Sequence, residues 1–208
     1  LTTIFLDLSN FTRRSFWEDQ DDVVDLAHAV LSGFIETVVQ FGGHPLGLRG
    51  DGLFAGFGGP PAFASAMALG ACAFALNAVE TAVNPWLDAR GLDHVQARAG
   101  VDAGLITFVR TGTTAHSEVN PLGFAANFAA KCEKAANAWE IVVGEGAVKS
   151  LPEASNFRQH PDSPKEYTRR GESKYYRFYQ YQWRRALPHL DGVPEALAGS
   201  STSNVLEG

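Results

Sequence analysis

The sequence predicts an α+β sandwich, in which helices cover one face of a largely antiparallel sheet. Short apolar runs alternate with longer amphipathic segments, and glycine or proline residues separate most of them. The order of these segments is β, α, β, β, α, β, α, β and a closing hairpin. The 208 residues, of which 45% are hydrophobic and 19% charged, suffice for one domain with a substantial core. We therefore expect one domain over 1–185 and a tail over 186–208.

The first half of the chain predicts a buried strand, an amphipathic helix and a hairpin centred on glycines. Residues 3–8 (TIFLDL) form a short, partly β-branched apolar run that is typical of a buried strand. The segment 19–41 has apolar residues at helical spacing, acidic residues at its beginning and two glycines after its end, so it predicts an amphipathic helix. Residues 46–58 (LGLRGDGLFAGFG) predict two short strands around a tight turn that contains Asp51.

The second half continues the alternation of helices and strands. An alanine-rich helix begins after the proline pair at 60–61 and extends to about Ala89. The remaining predicted elements are a long strand or bent hairpin over 95–111, a helix over 124–136, a strand over 140–144 and two strands over 167–183. From Pro188 onward the chain lacks apolar periodicity, and we expect a tail that is mobile or docked on a partner.

The composition restricts the classes of partner. The formal net charge is −6, so a general nucleic-acid-binding surface is not expected, although a local basic cluster can bind phosphates. No apolar run approaches the length of a bilayer, which predicts no membrane span. Cys72 and Cys132 fall in predicted helices without metal-ligand spacing, and we expect reduced core thiols. The chain shows no signal-type segment at its start, which predicts a cytoplasmic location.

Two acidic residues, Asp7 and Asp51, are the first candidates for a functional site. Asp7 ends the first apolar run, and Asp51 lies between two glycines that allow close approach of a ligand to the backbone. Because both residues lie at strand ends, they could converge on one metal site. Asp51 could instead only form the turn, since aspartate favours such positions through local hydrogen bonds.

Four segments together resemble the class III nucleotidyl cyclases, the family of adenylate and guanylate cyclases. IFLDLSNFT is similar to the first metal motif of the family and RGDGLFAGFG to its second, while RAGVDAG and FAANFAAKCE are similar to its central strand and catalytic helix. The resemblance covers about 2–183. It implies a ferredoxin-like, class III cyclase sandwich and conversion of a nucleoside triphosphate to a 3′,5′-cyclic nucleotide and pyrophosphate.

The resemblance also implies a site for two divalent cations, Mg²⁺ or Mn²⁺. Asp7 and Asp51 match the aspartates that bind these cations, and Leu8 matches the position that adds a backbone carbonyl. Hard oxygen ligands suit cations that bridge a triphosphate and lower the pKa of the attacking ribose 3′-hydroxyl. The phosphates would be wrapped by the main-chain N–H groups of Ser9, Asn10, Phe11 and Thr12.

Three further residues match catalytic positions of the family. Asn127 and Lys131 match the pair that orients the ribose and stabilises charge on the α-phosphate, and their spacing of four places them on one helix face. The second position is normally arginine, whereas lysine supplies a point charge without a planar fork. Arg170, a better match than Arg169, resembles the basic turn that touches the outer phosphates. Because the metal residues and the asparagine come from opposite chains in this family, the resemblance implies a homodimer with composite active sites.

The two base-reading positions match neither purine pattern of the family. Gly47 and Asn120 stand where adenylate cyclases usually carry lysine and aspartate or threonine, and guanylate cyclases glutamate and cysteine. Gly47 and Arg49 point to the same face of a strand, so Arg49 can enter the space that Gly47 leaves. Arginine only donates hydrogen bonds, and uracil offers acceptors at O2 and O4, whereas the amine of cytosine would meet no acceptor. The pattern therefore favours UTP over CTP.

This combination resembles the bacterial pyrimidine cyclases of the Pycsar anti-phage systems, in particular their uridylate-forming members. The resemblance implies conversion of UTP to cyclic UMP, which a separate effector protein reads during infection. Guanine is the competing base, because arginine pairs bidentately with its O6 and N7 edge. Further alternatives are a cyclase for CTP or ATP, an Arg49 that is only a solvent-exposed strand residue, and a catalytically silent cyclase-like module that binds a nucleotide or dimerises.

Overall fold

The computed structural model describes residues 1–9, 11–152 and 155–193, without the side chains of Thr12 and Arg49. The strands are β1 (Thr2–Ser9), β2 (His44–Arg49), β3 (Gly52–Phe57), β4 (Gln96–Ala103), β5 (Thr107–Gly112), β6 (Ser117–Leu122), β7 (Ile141–Gly144), β8 (Phe157–Gln159), β9 (Lys165–Arg169), β10 (Glu172–Tyr176) and β11 (Phe178–Tyr181). The helices are α1 (Phe11–Trp17), α2 (Gln20–Gln40), α3 (Pro61–Ala78), α4 (Asn84–Asp88), α5 (Phe124–Ala135) and α6 (Glu145–Ser150). A π-helical turn, Val79–Val83, joins α3 to α4.

Seven strands form the central sheet, in the order β2-β3-β1-β4-β7-β11-β8. The strand β1 lies between β3 and β4 and is antiparallel to both. Only the pairing of β4 with β7 is parallel within this described sheet. The strands β5 and β6 form a separate hairpin, as do β9 and β10. The predicted α+β class with a mostly antiparallel sheet is therefore confirmed.

Helices cover both faces of this sheet, which differs from the single covered face that the sequence predicts. Ile4 and Val101 belong to the large core cluster that includes the buried residues of α2 and α3. Val142 on β7 points to the opposite face of the sheet, where it packs with Phe128 and Cys132 of α5 in a second cluster. The sequence pattern of α5 shows that one side is apolar, but not which face of the sheet that side contacts.

The approach of α5 to the sheet is closest at Gly100 on β4. A Cβ atom added there would lie 2.1 Å from the backbone nitrogen of Glu133 and 2.2 Å from the carbonyl oxygen of Ala129. These distances are far below van der Waals contact, so only glycine permits this packing. Gly100 therefore sets the position of α5 over β1 and β4.

The helix α2 begins and ends with local signals that the sequence contains. The side chain of Asp19 accepts a hydrogen bond from the backbone N–H of Asp21, at 2.9 Å, and acts as the N-cap. Acidic residues in the first turn interact favourably with the positive end of the helix dipole. At the other end Gly42 has a φ of +74°, which allows the chain to turn into β2. The preceding helix α1 is separate and was not predicted from the sequence.

In contrast to the expectation that no apolar run approaches the length of a bilayer, the alanine-rich segment Pro61–Asp88 is long and apolar enough to cross a membrane by length and composition. Of the most apolar stretch of this segment, 18 residues long, 61% is buried inside the protein, which is typical of a core helix. Cys72 lies in this segment, and both Cys72 and Cys132 are buried and free, as predicted. Burial raises the pKa of both thiols, which disfavours the reactive thiolate.

Several short elements were not predicted from the sequence. The strand β6 has a polar sequence with a proline (SEVNPL), and α6 and β8 are each six residues or fewer. The long strand or bent hairpin predicted over 95–111 is two strands, β4 and β5, that belong to different sheets. The two strands predicted over 167–183 are three, β9, β10 and β11. Of the predicted tail, Leu187, Leu190 and Val193 pack against the core, and 194–208 lie outside the described residues.

A buried carboxyl group, that of Asp102 on β4, ties the hairpin of β9 and β10 to the sheet. Its side chain has no solvent exposure, and the hydroxyl of Tyr176 donates to its two oxygens, each at 3.1 Å. Burial raises the pKa of Asp102 from 3.8 to about 7. The folded state consequently binds one more proton than the unfolded state between about pH 4 and about pH 7.

We expect the free energy of unfolding to fall as the pH rises through this interval. The stability that the raised pKa of Asp102 contributes is fully present below the unfolded pKa and is lost as the pH rises through the folded pKa. Asp102→Asn should flatten this part of the pH profile, measured by urea unfolding at a series of pH values. Asp191→Asn, at an exposed position, is the matched control and should keep the wild-type slope. An Asp102→Asn protein with the wild-type slope would contradict this prediction.

Candidate active site

Asp7 and Asp51 meet at one edge of the sheet. Asp7 lies near the end of β1, where it is paired in register with Gly52 of β3, and Asp51 directly precedes Gly52. Gly50 has a φ of +63°, so the turn before Asp51 uses a backbone conformation that favours glycine. The structure therefore brings the two predicted metal ligands together.

The electrostatics of this pair fit a site for hard cations. Burial raises the pKa of the Asp51 carboxyl, and the negative charge of Asp7 raises it further. A backbone hydrogen bond and the Arg98 guanidinium oppose these two effects in part. Two carboxylates held together in a partly buried position repel one another, and a divalent cation bound by both would relieve this repulsion. The residues present therefore fit Mg²⁺ or Mn²⁺.

Arg98 and Glu133 complete the surroundings of Asp7, and neither was identified from the sequence. Arg98, on β4 directly opposite Asp7, donates from Nε and Nη2 to Oδ2 of Asp7 at 3.1 and 2.9 Å. The same guanidinium forms an ion pair with Oε1 of Glu133 at 2.5 Å. Burial raises the pKa of Glu133 to about 7, although Arg98 opposes the shift. Arg98 therefore holds one oxygen of Asp7 and leaves Oδ1 free of this contact.

The signals for these two residues were present but not local. Both lie in segments that carry the family resemblance, Arg98 in RAGVDAG and Glu133 in FAANFAAKCE. Glu133 falls on the buried side of α5, where a charged residue needs a partner. A search for the partner of that buried acid could have found Arg98, once the pairing of β1 with β4 was known.

The segment that was predicted to wrap the phosphates lies where β1 leads into α1. Leu8 has its side chain in the core, so only its backbone is available to the site. Ser9 and Phe11 line a cavity of about 390 Å³ beside the start of β4. Asn10 and the side chain of Thr12 lie outside the described part of the chain. The phosphate-binding role of 9–12 stays a prediction.

Asn127 and Lys131 lie on the exposed side of α5, away from Asp7. Both side chains are exposed, whereas Glu133, which reaches the Asp7 site, is on the buried side of the same helix. Asn127 precedes Glu133 by six residues, or about 9 Å along the helix axis. The structure thus brings Asn127 and Lys131 together but separates them from the carboxylates of the same chain.

Lys131 is held by an aromatic side chain of the β9–β10 hairpin. Its Nζ donates to the hydroxyl of Tyr167 at 3.1 Å and lies 4.9 Å from the centre of the Tyr167 ring. Such a contact combines a hydrogen bond with a cation–π attraction. Arg170 lies in the turn of this hairpin, exposed, with a φ of +52° that non-glycine residues rarely adopt. The hairpin therefore places basic groups beside the exposed face of α5.

The two base-reading positions, Gly47 and Asn120, are both described in full. Gly47 is paired with Phe54, whose ring stacks on Phe5 with the ring centres 4.5 Å apart. Cross-strand partners and residues two apart share a face, so Gly47 faces the same side of the sheet as Asp7. The backbone of Arg49 continues this ladder opposite Gly52, but its side chain lies outside the described residues. Asn120 is half-buried on β6, on the separate hairpin.

The β5–β6 hairpin exposes an unusual number of large apolar side chains. Leu105, just before the hairpin, is 89% exposed, and four hairpin residues are between 37% and 55% exposed, namely Phe108, Val109, Val119 and Leu122. The register places Phe108 and Val119 on one face of the hairpin and Val109 and Leu122 on the other, so each face has exposed apolar side chains of the kind that marks interaction sites. The hairpin that carries Asn120 is therefore a candidate surface for association with another chain.

Comparison with known proteins shows which fold this chain has. No family model and no curated protein matches the sequence. Among solved structures, the guanylyl cyclase Cya2 is 18% identical, with a TM-score of 0.72 over 86% of this chain and 90% of that chain. The adenylyl cyclase CyaB from P. aeruginosa is 20% identical, with a TM-score of 0.73 over 86% of this chain and 92% of that chain.

A Class III adenylyl cyclase-like ATP-binding protein from Pseudomonas aeruginosa is also 20% identical, with a TM-score of 0.67 over 73% of this chain and 34% of that chain. TM-scores at this level show the fold, whereas identities of 18–20% do not show the reaction. The four segments that resemble cyclase motifs lie on β1, on the β2–β3 turn, on β4 and on α5, with Asp7 and Asp51 adjacent. The chain has the fold of the class III nucleotidyl cyclases.

Proposed function

We propose that this protein is a metal-dependent nucleotidyl cyclase that acts as a homodimer and forms a 3′,5′-cyclic nucleotide and pyrophosphate from a nucleoside triphosphate. The observation that carries the proposal is the meeting of Asp7 and Asp51 at one sheet edge of a class III cyclase fold. A pair of adjacent, partly buried carboxylates costs stability, and groups perturbed in this way cluster at functional sites.

Each residue of this site has a separate task in the proposed reaction. Asp7 and Asp51 would hold two divalent cations, Mg²⁺ or Mn²⁺, which lower the pKa of the ribose 3′-hydroxyl and stabilise charge on the phosphates. Arg98 fixes the orientation of the Asp7 carboxylate, and Glu133 in turn holds Arg98. Asn127 orients the ribose, while Lys131 and Arg170 contact the phosphates with positive charge.

The homodimer in this proposal is supported by the separation of the two groups of residues. Asn127 and Lys131 face solvent on α5, so within one chain they do not reach the carboxylates. A second copy could supply them, as the family resemblance implies. The exposed apolar side chains of the β5–β6 hairpin offer a surface for that association.

We propose UTP as the substrate and cyclic UMP as the product, with a cytoplasmic location and a separate effector that reads the product in anti-phage defence. Support comes from Gly47, which faces the side of Asp7 and presents no side chain there. Arg49 follows on the same ladder two residues later, where its donors would suit the two carbonyl oxygens of uracil.

The test of the proposed function is incubation of the purified protein with Mn²⁺ or Mg²⁺ and each of the four nucleoside triphosphates, with products identified by mass. We expect cyclic UMP and pyrophosphate as the dominant products. Cyclic AMP, cyclic GMP or cyclic CMP as the dominant product would contradict the preference for UTP but support the proposed cyclase activity. Absence of any cyclic nucleotide with all four substrates and either metal would contradict the cyclase itself.

A second candidate function is a catalytically silent module that binds a nucleotide. It is favoured by the replacement of the usual arginine by Lys131, whose ammonium is already engaged by Tyr167, and by the fold shared with the cyclase-like ATP-binding protein. Binding of a nucleotide without product formation in the same assay would support it. The retention of Asp7, Asp51 and Asn127 argues for catalysis.

A further inference from the structure

A cavity of about 410 Å³ lies between α5 and the segment that leads into β9, and no role has been assigned to it so far. Three lysines line it, Lys131, Lys134 and Lys165, together with a single carboxylate, that of Asp162. Phe128 and Phe178 contribute apolar walls. The cavity therefore combines three ammonium groups with a size that is typical of small-ligand sites.

The charge of this cavity is opposite to that of the whole chain. The protein has a formal net charge of −6, whereas the charged side chains that line this cavity carry three positive charges and one negative charge. Neither Lys134 nor Lys165 has an ion-pair partner among the residues that the structure describes. The Asp162 side chain is 80% exposed and lies 3.9 Å from Nδ1 of His160. Two of the three ammonium groups are thus available to an external anion.

These lysines continue the surface that carries the predicted catalytic residues. On α5, positions 127, 131 and 134 are all exposed and fall on one stripe of the helix. On β9, Lys165, Tyr167 and Arg169 are two residues apart and share one face. Tyr167 contacts Lys131, so this face of the hairpin is turned towards α5. Lys165 therefore lies on the same side of the hairpin as the group that holds Lys131.

We propose that Lys134 and Lys165, together with Lys131, bind the polyphosphate of the nucleotide. This inference deepens the proposed function, on which its catalytic readout rests, because it assigns additional phosphate contacts to the same substrate. An arginine would present a planar fork of donors. Lys131 instead supplies one point charge, and its ammonium group donates a hydrogen bond to Tyr167. The two additional ammonium groups compensate for the missing fork by surrounding the phosphates with separate charges.

The same chemistry would recognise the triphosphate of the substrate and the pyrophosphate of the product. A longer anion reaches more of the three ammonium groups. Tripolyphosphate, which is as long as the triphosphate of the substrate, should therefore bind more tightly than pyrophosphate. Inorganic tripolyphosphate and inorganic pyrophosphate distinguish the two cases without a base or a ribose. Both probes are used in the absence of divalent cations, so that the binding does not depend on Asp7 and Asp51.

The experiment compares Lys134→Gln, Lys165→Gln and the double variant with wild type, and Lys149→Gln is the matched control. Lys149 is also an exposed helical lysine, but it lies on α6 and pairs with Glu145. Isothermal titration with tripolyphosphate should show about three- to tenfold weaker binding for each single variant and a larger loss for the double variant. The control should bind as wild type. Equal binding by all variants, or no binding by wild type, would overturn the proposal.

Kinetics with the preferred nucleotide provide the second readout. We expect each single variant to raise KM by about three- to tenfold with little change in kcat, because the lysines bind phosphates in the ground and transition states alike. Unchanged KM with weakened tripolyphosphate binding would place the anion site outside the substrate site and overturn the assignment to the nucleotide. If the protein has no turnover but binds tripolyphosphate through these lysines, the proposed cyclase activity is contradicted and the proposed polyphosphate site is supported.

Discussion

Asp7→Ala and Asp51→Ala are each expected to lower kcat at least about 1000-fold, while the protein stays folded and dimeric. Loss of one carboxylate removes a ligand for the cations that stabilise charge on the phosphates, an effect of several kcal/mol on the barrier. Turnover is measured with the preferred nucleotide and Mn²⁺, and the dimer by analytical ultracentrifugation. Activity within tenfold of wild type in either variant would contradict the two-metal site.

Mixing two inactive variants tests the composite site at the same time. Asp7→Ala and Lys131→Ala would each be inactive alone, but a mixed dimer carries both defects in one site and leaves the other site intact. Random association should therefore restore about a quarter of the wild-type activity, since half of the dimers are mixed and each has one working site. No recovery after subunit exchange would contradict the two-chain arrangement and leave the metal site unaffected.

Gly100→Ala is expected to destabilise the fold by at least about 3 kcal/mol. The added methyl group would lie 2.1 Å from a backbone nitrogen and 2.2 Å from a backbone oxygen of α5, and backbone cannot move aside as a flexible side chain can. Displacement of α5 would also pull Glu133 away from Arg98, so activity should fall with stability. The measurement is the free energy of unfolding in urea.

Gly33→Ala is the matched control for this substitution. Gly33 lies on the exposed side of α2, and an added Cβ would meet nothing within 4 Å. In a helix, this change should stabilise the protein by about 0.5–1 kcal/mol. A Gly100→Ala protein as stable as wild type would show that α5 does not pack against β4 as described.

The carboxylate site was predictable because both halves have local signatures. An apolar run that ends in Asp7 and a glycine turn around Asp51 can each be recognised without any knowledge of the rest of the fold. Arg98 and Glu133 could not be recognised in this way, because their contact with Asp7 depends on the strand register and on the docking of α5. The sequence contains the residues, but the pairing arises from long-range packing.

The same distinction explains the errors in the predicted fold. The helix α2 has a cap, acidic residues in its first turn and a terminal glycine, and was predicted within about one residue. The strand β6 is polar and exposed, so alternation gives no signal for it. That α5 covers the second face depends on a glycine in another element, which no local pattern of α5 reports. Base selectivity stays a prediction, because the side chain of Arg49 lies outside the described residues.

The exposed apolar surface of the β5–β6 hairpin has a consequence for how the activity would scale. If the working site forms only when two chains associate there, dilution below the dissociation constant separates the chains and disperses the catalytic groups. The reaction velocity would then rise with the square of the protein concentration, and linearly once association is complete. A cell containing few copies would produce almost no cyclic nucleotide, so the abundance of the protein would act as a threshold for signalling.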